Sequence, residues 1–318
     1  MKILANDGIS PEGVIALEKG GFTVLTNNIP QDELVTEINK QNIVGILVRS
    51  ATTVRKALID ACPELKLIGR GGVGMDNIDV DYARSKGLYV INTPGASSQS
   101  VAELVMGNLF SLSRGIFHSN RVMPSTGNVE FKALKKKYAK GQELKGKTIG
   151  IVGFGRIGQA LASYCLGCGM TVLPIDRKVN TFEIPLTING NEMKISLNSV
   201  NDLNAALPEL DYISLHVPKQ ADGSAVIAKS EIEKMKTGVI LVNAARGGVI
   251  EENDLIAGIN SGKIRAAALD VFENEPAPRA DILAHEQIAS TPHIGAATVE
   301  AQTRIGEELA EQIITLLK

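Results

Sequence analysis

The sequence has no tryptophan and only five Tyr and seven Phe, too few aromatic rings to build the stacking platforms that bind single-stranded nucleic acid. Its three cysteines, Cys62, Cys165 and Cys168, are too few and too odd in number for a disulfide framework, which points to a reducing compartment. The 33 Lys+Arg against 35 Asp+Glu leave a net charge of −2, so no overall basic field exists to collect nucleic acid or an acidic membrane surface. Long apolar runs are missing as well. The longest uncharged stretch, 157–175, is interrupted by Gly158, Gly167, Gly169 and Pro174 and reads as a buried helix and strand, not a membrane span. The opening Met1-Lys2-Ile3-Leu4-Ala5-Asn6-Asp7 reaches a charge before a signal-peptide core can form. Together these absences predict a cytoplasmic protein without a nucleic-acid or membrane partner and without a metal.

What is present is 44% hydrophobic residues and 31 Gly in 318 residues, enough for about two domains at roughly 150 residues each. Short apolar runs at 3–5, 22–25, 43–48, 65–68 and 88–91, then at 148–152, 171–175, 212–215, 239–242, 266–269 and 288–290, alternate with helical patterns. Parallel strands need helical crossovers on both faces, so the expected fold is α/β with two doubly wound parallel-sheet domains. A break is expected at Thr93-Pro94-Gly95, where Pro removes a donor and Gly permits a sharp turn.

A long helix should follow, opened by the capping-box spacing of Ser100 and Glu103. Val101, Leu104, Val105, Leu109 and Leu112 recur along it, with Met106 and Phe110 widening the stripe. Apolar nearly all round, it is expected to be covered by a second domain or another subunit, which predicts a homodimer or higher homo-oligomer. The last segment, 298–317, places Val299, Ile305, Leu309, Ile313 and Leu316 on one helical face. One stretch, 181–197, departs from the alternation, because Asn189-Gly190 between two apolar alternations predicts a hairpin.

Gly153-Phe154-Gly155-Arg156-Ile157-Gly158 follows the 148–152 strand and opens a helical pattern. The first Gly permits a tight turn, the second lets backbone approach a pyrophosphate, and the third lets helix pack on strand. Asp176 ends the next strand 18 residues after Gly158, where a carboxylate accepts hydrogen bonds from ribose hydroxyls and repels a 2′-phosphate. This favours NAD over NADP, although the adjacent Arg177 and Lys178 suit a phosphate. Cys165 and Cys168 have Cys-x-x-Cys spacing but lie late in the following helix with no second Cys pair, so a packing role is expected over redox or zinc chemistry.

Four histidines are available for proton transfer. His118 and His285 read as packing or surface residues. His216, at the end of the 212–215 strand and before Val217-Pro218, reads as a wall for the cofactor ring. His293, just past the last strand, is either a proton carrier or a turn residue.

In Gly153 to Gly158, in Leu241-Val242-Asn243-Ala244-Ala245-Arg246-Gly247-Gly248, in Ala268-Leu269-Asp270-Val271-Phe272-Glu273-Asn274-Glu275-Pro276 and in Pro292-His293-Ile294-Gly295-Ala296, the chain resembles the D-2-hydroxyacid dehydrogenase family. Gly69-Arg70-Gly71-Gly72-Val73-Gly74-Met75-Asp76 and Asn92-Thr93-Pro94 extend the similarity over essentially the whole chain, which within the family looks like the phosphoglycerate dehydrogenase branch. The resemblance implies a discontinuous substrate domain, 1–94 with 293–318, a Rossmann NAD-binding domain at 95–292, and an active site in the cleft between them. It implies that Arg246 grips the substrate carboxylate and the oxygen at C2, and that Glu275 pairs with His293, which exchanges the hydroxyl proton. Ala244, Arg246, Asp270, His293 and Gly295 are implied on the cofactor side. Val73, Gly74 and Asn92, with Ser97 nearby, are implied at the substrate.

The chemistry agrees with these roles. A secondary alcohol that loses hydride must also lose its hydroxyl proton, which a neutral imidazole accepts, and a carboxylate orients that imidazole. Arginine holds a carboxylate in bidentate fashion without losing its charge. Arg49 and Arg70, each at the end of an apolar strand, suit either a phosphate or ordinary strand-end salt bridges, and the resemblance implies the former, with NAD-dependent oxidation of 3-phospho-D-glycerate to 3-phosphohydroxypyruvate, the entry to serine synthesis, as the expected reaction. Lys132, Lys135, Lys136, Lys137 and Lys140 form either a further cationic edge or a solvated helical face. The alternatives are a glyoxylate or hydroxypyruvate reductase and, in another class, an NADH-sensing binding protein like the corepressors of this family. The hairpin reads as an insertion beside the adenosine side of the cofactor, and the chain is expected to carry no C-terminal regulatory domain.

Overall fold

The computed structural model describes residues 1–318, which divide into two compact units, 1–100 with 296–318, and 101–295. In the first unit β1 (Lys2–Ala5), β2 (Thr23–Leu25), β3 (Ile43–Val48), β4 (Leu67–Arg70) and β5 (Tyr89–Asn92) form a parallel sheet in the order β2-β1-β3-β4-β5. Successive strand residues face opposite sides, and both sides are buried. Leu4, Ile46 and Ile68 pack with Leu34, Ile38 and Leu58, whereas Ile3, Leu47 and Leu67 pack with Leu17, Ile305 and Leu309. The last three belong to the helices Pro11–Lys19 and Val299–Leu317, which approach so closely that a Cβ on Gly13 would stand 2.8 Å from the Gly306 Cα. The run expected at 65–68 forms its strand two residues later, so Arg70 is a sheet residue paired with Val48 and Asn92.

In the second unit the first strands are β6 (Thr148–Val152) and β7 (Thr171–Ile175), followed by the antiparallel pair β8 (Thr181–Ile188) and β9 (Asn191–Asn198). Then come β10 (Tyr212–Leu215), β11 (Val239–Asn243), β12 (Ile264–Leu269) and β13 (Ile288–Ser290). The six-stranded sheet is parallel in the order β13-β12-β11-β10-β6-β7. Both sheets are therefore of the doubly wound α/β class. The predicted hairpin forms as the separate β8-β9 pair, with Asn189 and Gly190 at φ 50° and 78°, the conformation a two-residue type I′ turn requires.

The long helix differs from expectation. It spans Ser98–Arg114, so Ser100 is no cap: its hydroxyl lies 2.8 Å from the Thr298 hydroxyl, and Glu103 accepts the Tyr164 hydroxyl at 2.6 Å. Nor is it apolar all round. Ala102, Val105, Met106, Leu109 and Leu112 are buried with Ile149, Ile151 and Leu161, while Glu103, Gly107 and Phe110 are exposed. The second unit's own sheet covers this face, so no further subunit is needed to bury it. Residues 157–175 are indeed helix and strand. Cys165 is buried beside Met106, sulfur to sulfur 3.7 Å, and burial pushes its thiol up to about 12, which leaves it an inert packing group. No helix is long and apolar enough to cross a membrane.

Candidate active site

β6 runs directly into the glycine turn. Gly153 adopts φ 88°, and a Cβ there would stand 2.6 Å from the His216 carbonyl oxygen. Gly158 sits against the strand end, where a Cβ would be 2.6 Å from the Gly153 oxygen, but Gly155 faces open space. The helix Arg156–Gly167 begins just after Gly155 with no side chain capping it, so the amides of its first turn are available to an anion. These are the backbone conditions a pyrophosphate imposes, and this turn fits a dinucleotide.

Asp176, one residue beyond β7, accepts the Phe154 N–H at 2.9 Å and the Arg177 N–H at 2.7 Å. A cleft of about 580 Å³ lies between Asp176, Gly153, Gly155, His216, Val217 and Pro218, with Arg177 and Asn201 on its rim. Burial pushes His216 down to about 4, so its imidazole is neutral, and Nε2 lies 2.8 Å from the Ser214 hydroxyl. This neutral, tethered ring lies just past the end of β10 and lines the cleft. His118 bonds the Tyr138 hydroxyl, a packing role as expected.

A second cluster stands at the ends of β11, β12 and β13. Arg246 follows β11 in a turn tied by Asn243, whose side chain donates to the Arg246 carbonyl at 2.9 Å and accepts the Ala245 N–H at 3.1 Å. Gly247 brings this turn against the one that carries Glu275: a Cβ there would be 1.7 Å from the Phe272 carbonyl oxygen. Glu275 accepts the Phe272 N–H at 3.0 Å with one oxygen and pairs with His293 Nδ1 at 2.8 Å with the other. About a third of each of these two side chains is exposed (34% and 38%).

His293 is held at φ 54°, a conformation that costs a residue with a β-carbon about 1–3 kcal/mol. The hydrogen bonds that offset this come from Asp270. Its buried carboxylate accepts the Thr291 hydroxyl at 2.6 Å and the Ile294 and Gly295 N–H groups at 2.8 Å each. Asp270 and Gly295, expected on the cofactor side, thus form the clamp on the His293 turn. That clamp also keeps His293 in the unit 101–295, whereas the sequence reading places it at the opening of the segment that returns to the other domain.

In the first unit, Arg49 and Arg70 both border the Gly71-Gly72 turn. A Cβ on Gly71 would lie 3.6 Å from the Arg49 Cγ, and one on Gly72 would lie 1.8 Å from the Arg70 Nη1. Gly72 donates to the Thr93 hydroxyl at 2.8 Å, and Asn92 donates to the Val73 carbonyl at 2.7 Å. Val73 is exposed and Gly74 half-buried beside it, whereas Ser97 is buried. The Arg49 backbone is held from two sides. Asp7 accepts its N–H at 2.6 Å along with the Thr52 N–H and hydroxyl, and Asn77 donates to the Arg49 and Thr52 carbonyls at 2.9 and 2.6 Å.

The expected residues therefore fall into three groups: the dinucleotide turn with Asp176 and His216 to Pro218, the Arg246, Glu275 and His293 cluster with Ala244, and the Arg49 and Arg70 turn. Arg156, Ile157 and Gly158 build the turn's helix without lining the cleft. Asn201, Asn243, Asp7 and Asn77 are additions that the sequence reading misses. Asn243 lies inside a recognised motif, but no local pattern marks the other three.

Residues 106–295 match the family described as D-isomer specific 2-hydroxyacid dehydrogenase, NAD binding domain. Hydroxypyruvate reductase of Thermotoga maritima is 41% identical over 316 residues, 98% of this chain and 97% of that protein. D-3-phosphoglycerate dehydrogenase of Methanocaldococcus jannaschii is 39% identical over 318 residues, the whole of this chain but 58% of that protein, so the chain spans little more than half of that relative. Among solved structures, the TT0316 protein of Thermus thermophilus superposes with a TM-score of 0.85 at 27% identity, covering 100% of this chain and 97% of that one. These similarities, together with the geometry of the glycine turn, make the chain an NAD-using member of the D-isomer-specific 2-hydroxyacid dehydrogenase family.

Proposed function

We propose that the protein oxidises 3-phospho-D-glycerate to 3-phosphohydroxypyruvate with NAD, the entry reaction of serine synthesis. Support for a phosphorylated substrate comes from Arg49 and Arg70, which both stand at the Gly71-Gly72 turn, the Arg70 guanidinium over Gly72, since phosphate oxygens accept paired hydrogen bonds from arginine. NAD, when bound, supplies the acceptor for the hydride leaving C2. His293 supplies the base. With Nδ1 directed to Glu275, its Nε2 carries the lone pair that takes the hydroxyl proton as the C2 carbonyl forms. Glu275 holds the ring's orientation and offsets the positive charge that results. Arg246 holds the substrate carboxylate and polarises the C2 oxygen, and in the reverse direction the protonated His293 returns its proton to that oxygen.

A second reading is reduction of hydroxypyruvate or glyoxylate by the same trio, favoured by the 41% identity to hydroxypyruvate reductase over 97% of its length. A substrate panel with NAD and NADP in both directions separates the two. The first reading expects 3-phosphoglycerate to exceed glycerate in kcat/KM by about two orders of magnitude, the worth of one or two charge-assisted hydrogen bonds. A preference for unphosphorylated hydroxypyruvate puts the second in its place.

We also infer a homodimer. Ile116, Met123, Val129 and Phe131 are apolar and exposed on and between the helices Ile116–Thr126 and Phe131–Lys137, and exposed apolar side chains on one segment suit a subunit interface. The Lys132 to Lys140 run is solvated on the same segment. A monomeric mass by light scattering at micromolar concentration sinks the dimer.

A further inference from the structure

The β8-β9 hairpin stands apart from the six-stranded sheet, yet its base is built into the dinucleotide turn. Near the start of β8, the Phe182 ring packs edge-on against the ring of Phe154, the second residue of the glycine turn, with centroids 4.9 Å apart and planes at 66°. Two residues on, Ile184 is fully buried in the core that contains Leu161 and Cys165. At the other end, Ser199 is buried. Its hydroxyl accepts the Asn180 N–H at 2.9 Å and donates to the Lys178 carbonyl at 3.1 Å, closing the 177–180 turn. Val200 then pairs with the edge of β7, donating to the Pro174 carbonyl at 3.0 Å and accepting the Asp176 N–H at 2.9 Å.

Both ends of the hairpin therefore converge on one carboxylate. The Asp176 backbone is held by Val200, and its side chain is held by the N–H of Phe154, whose ring leans on Phe182. Arg177 and Asn201, which line the cleft, stand on either side of this hairpin. A carboxylate fixed before the ligand arrives binds more tightly than one that must be ordered on binding.

We propose that the 181–198 hairpin positions the adenosine-ribose end of the dinucleotide cleft, acting through Phe182 on Phe154 and through Val200 on Asp176. The inference rests on reading Asp176 as the ribose ligand. The hairpin serves cofactor affinity and leaves the chemistry alone, because His293, Glu275 and Arg246 stand on the turns after β11, β12 and β13.

The test is NADH binding, read by fluorescence titration, alongside steady-state kinetics. Phe182→Ala should weaken NADH binding about three- to tenfold, the worth of one aromatic pair, with kcat and the KM for the hydroxy acid unchanged at saturating NAD. Phe182→Tyr should restore the affinity. Ser199→Ala, which loosens the 177–180 turn without touching Phe154, should also weaken NADH binding and carries the test if Phe182→Ala does not fold. Asp176→Ala is the control. If it weakens binding while the folded Phe182→Ala or Ser199→Ala variant stays within twofold of wild type, the positioning role is wrong and the ribose reading stands. If Asp176→Ala has no effect, both fall. A fall in kcat without a change in NADH affinity also overturns the proposal.

Discussion

Each unit has a glycine-rich turn at the carboxyl end of the strand next to a sheet edge, Gly71-Gly72 after β4 and Gly153 to Gly158 after β6, and the two turns are filled differently. In the first, the space a Cβ would take at Gly72 is already occupied by the chain's own Arg70, 1.8 Å away, and the residue adopts φ 140°. In the second, Gly155 faces nothing within 4 Å. Glycine at Gly72 is required by its backbone, a φ of 140° that residues with a β-carbon rarely adopt, whereas Gly155 has no such φ and leaves open space just before the helix Arg156–Gly167. A glycine motif alone does not distinguish these cases; the backbone conformation at each glycine does.

The largest effect expected lies outside both turns. His293→Ala should lower kcat about a thousandfold, within the range of general base catalysis, with NADH affinity unchanged in a fluorescence titration. Loss of NADH binding in that variant would tie His293 to the cofactor turn and remove the separation between chemistry and binding. Next, Arg49→Gln combined with Arg70→Gln should raise the KM for 3-phosphoglycerate by about ten- to a hundredfold through lost charge-assisted hydrogen bonds, and far less for an unphosphorylated 2-hydroxy acid. Equal losses for both substrates would mean that the first turn does not read phosphate.

The two glycines give the sharpest contrast. Gly72→Ala should cost about 2 kcal/mol of stability from backbone strain, seen as a lower Tm. Gly155→Val should leave the Tm unchanged and weaken NADH binding about tenfold, because the side chain fills the approach path of the pyrophosphate. A lowered Tm for Gly155→Val would show that its open space belongs to the fold after all.

The smallest effect concerns the wall of the second turn. His216 is pushed down to about 4 in the folded protein, below the ordinary value near 6.5, so the unfolded chain takes up the proton first as pH falls. Its contribution to stability is complete above about pH 6.5 and is lost as pH drops toward 4, about 1 kcal/mol between pH 6.5 and 5.5. Denaturant titrations of wild type and His216→Gln across that interval should differ by this slope. Parallel curves would mean that the ring is not held neutral by burial. Asn92 and Thr93, which tie the first turn, do not titrate and add no such term.

The parallel strands were legible in the sequence because a strand buried on both faces is a continuous apolar run, as in 43–48 and 148–152, and the hairpin was legible because Asn189-Gly190 satisfies a two-residue turn on its own. The glycine turn and the Arg246, Glu275 and His293 trio were legible as motifs. These signals are local: they depend on residues a few positions apart. The start of the long helix was not legible, since Ser100 and Glu103 have the spacing of a cap but bond to Thr298 and Tyr164. The clamp of Asp270 on the His293 turn, the hold of Asp7 and Asn77 on Arg49 and the grip of the hairpin on Asp176 were likewise decided by the folded chain. Each joins residues roughly 20 or more positions apart, and a buried polar group takes whichever partner the packing brings within reach, which no spacing along the sequence specifies.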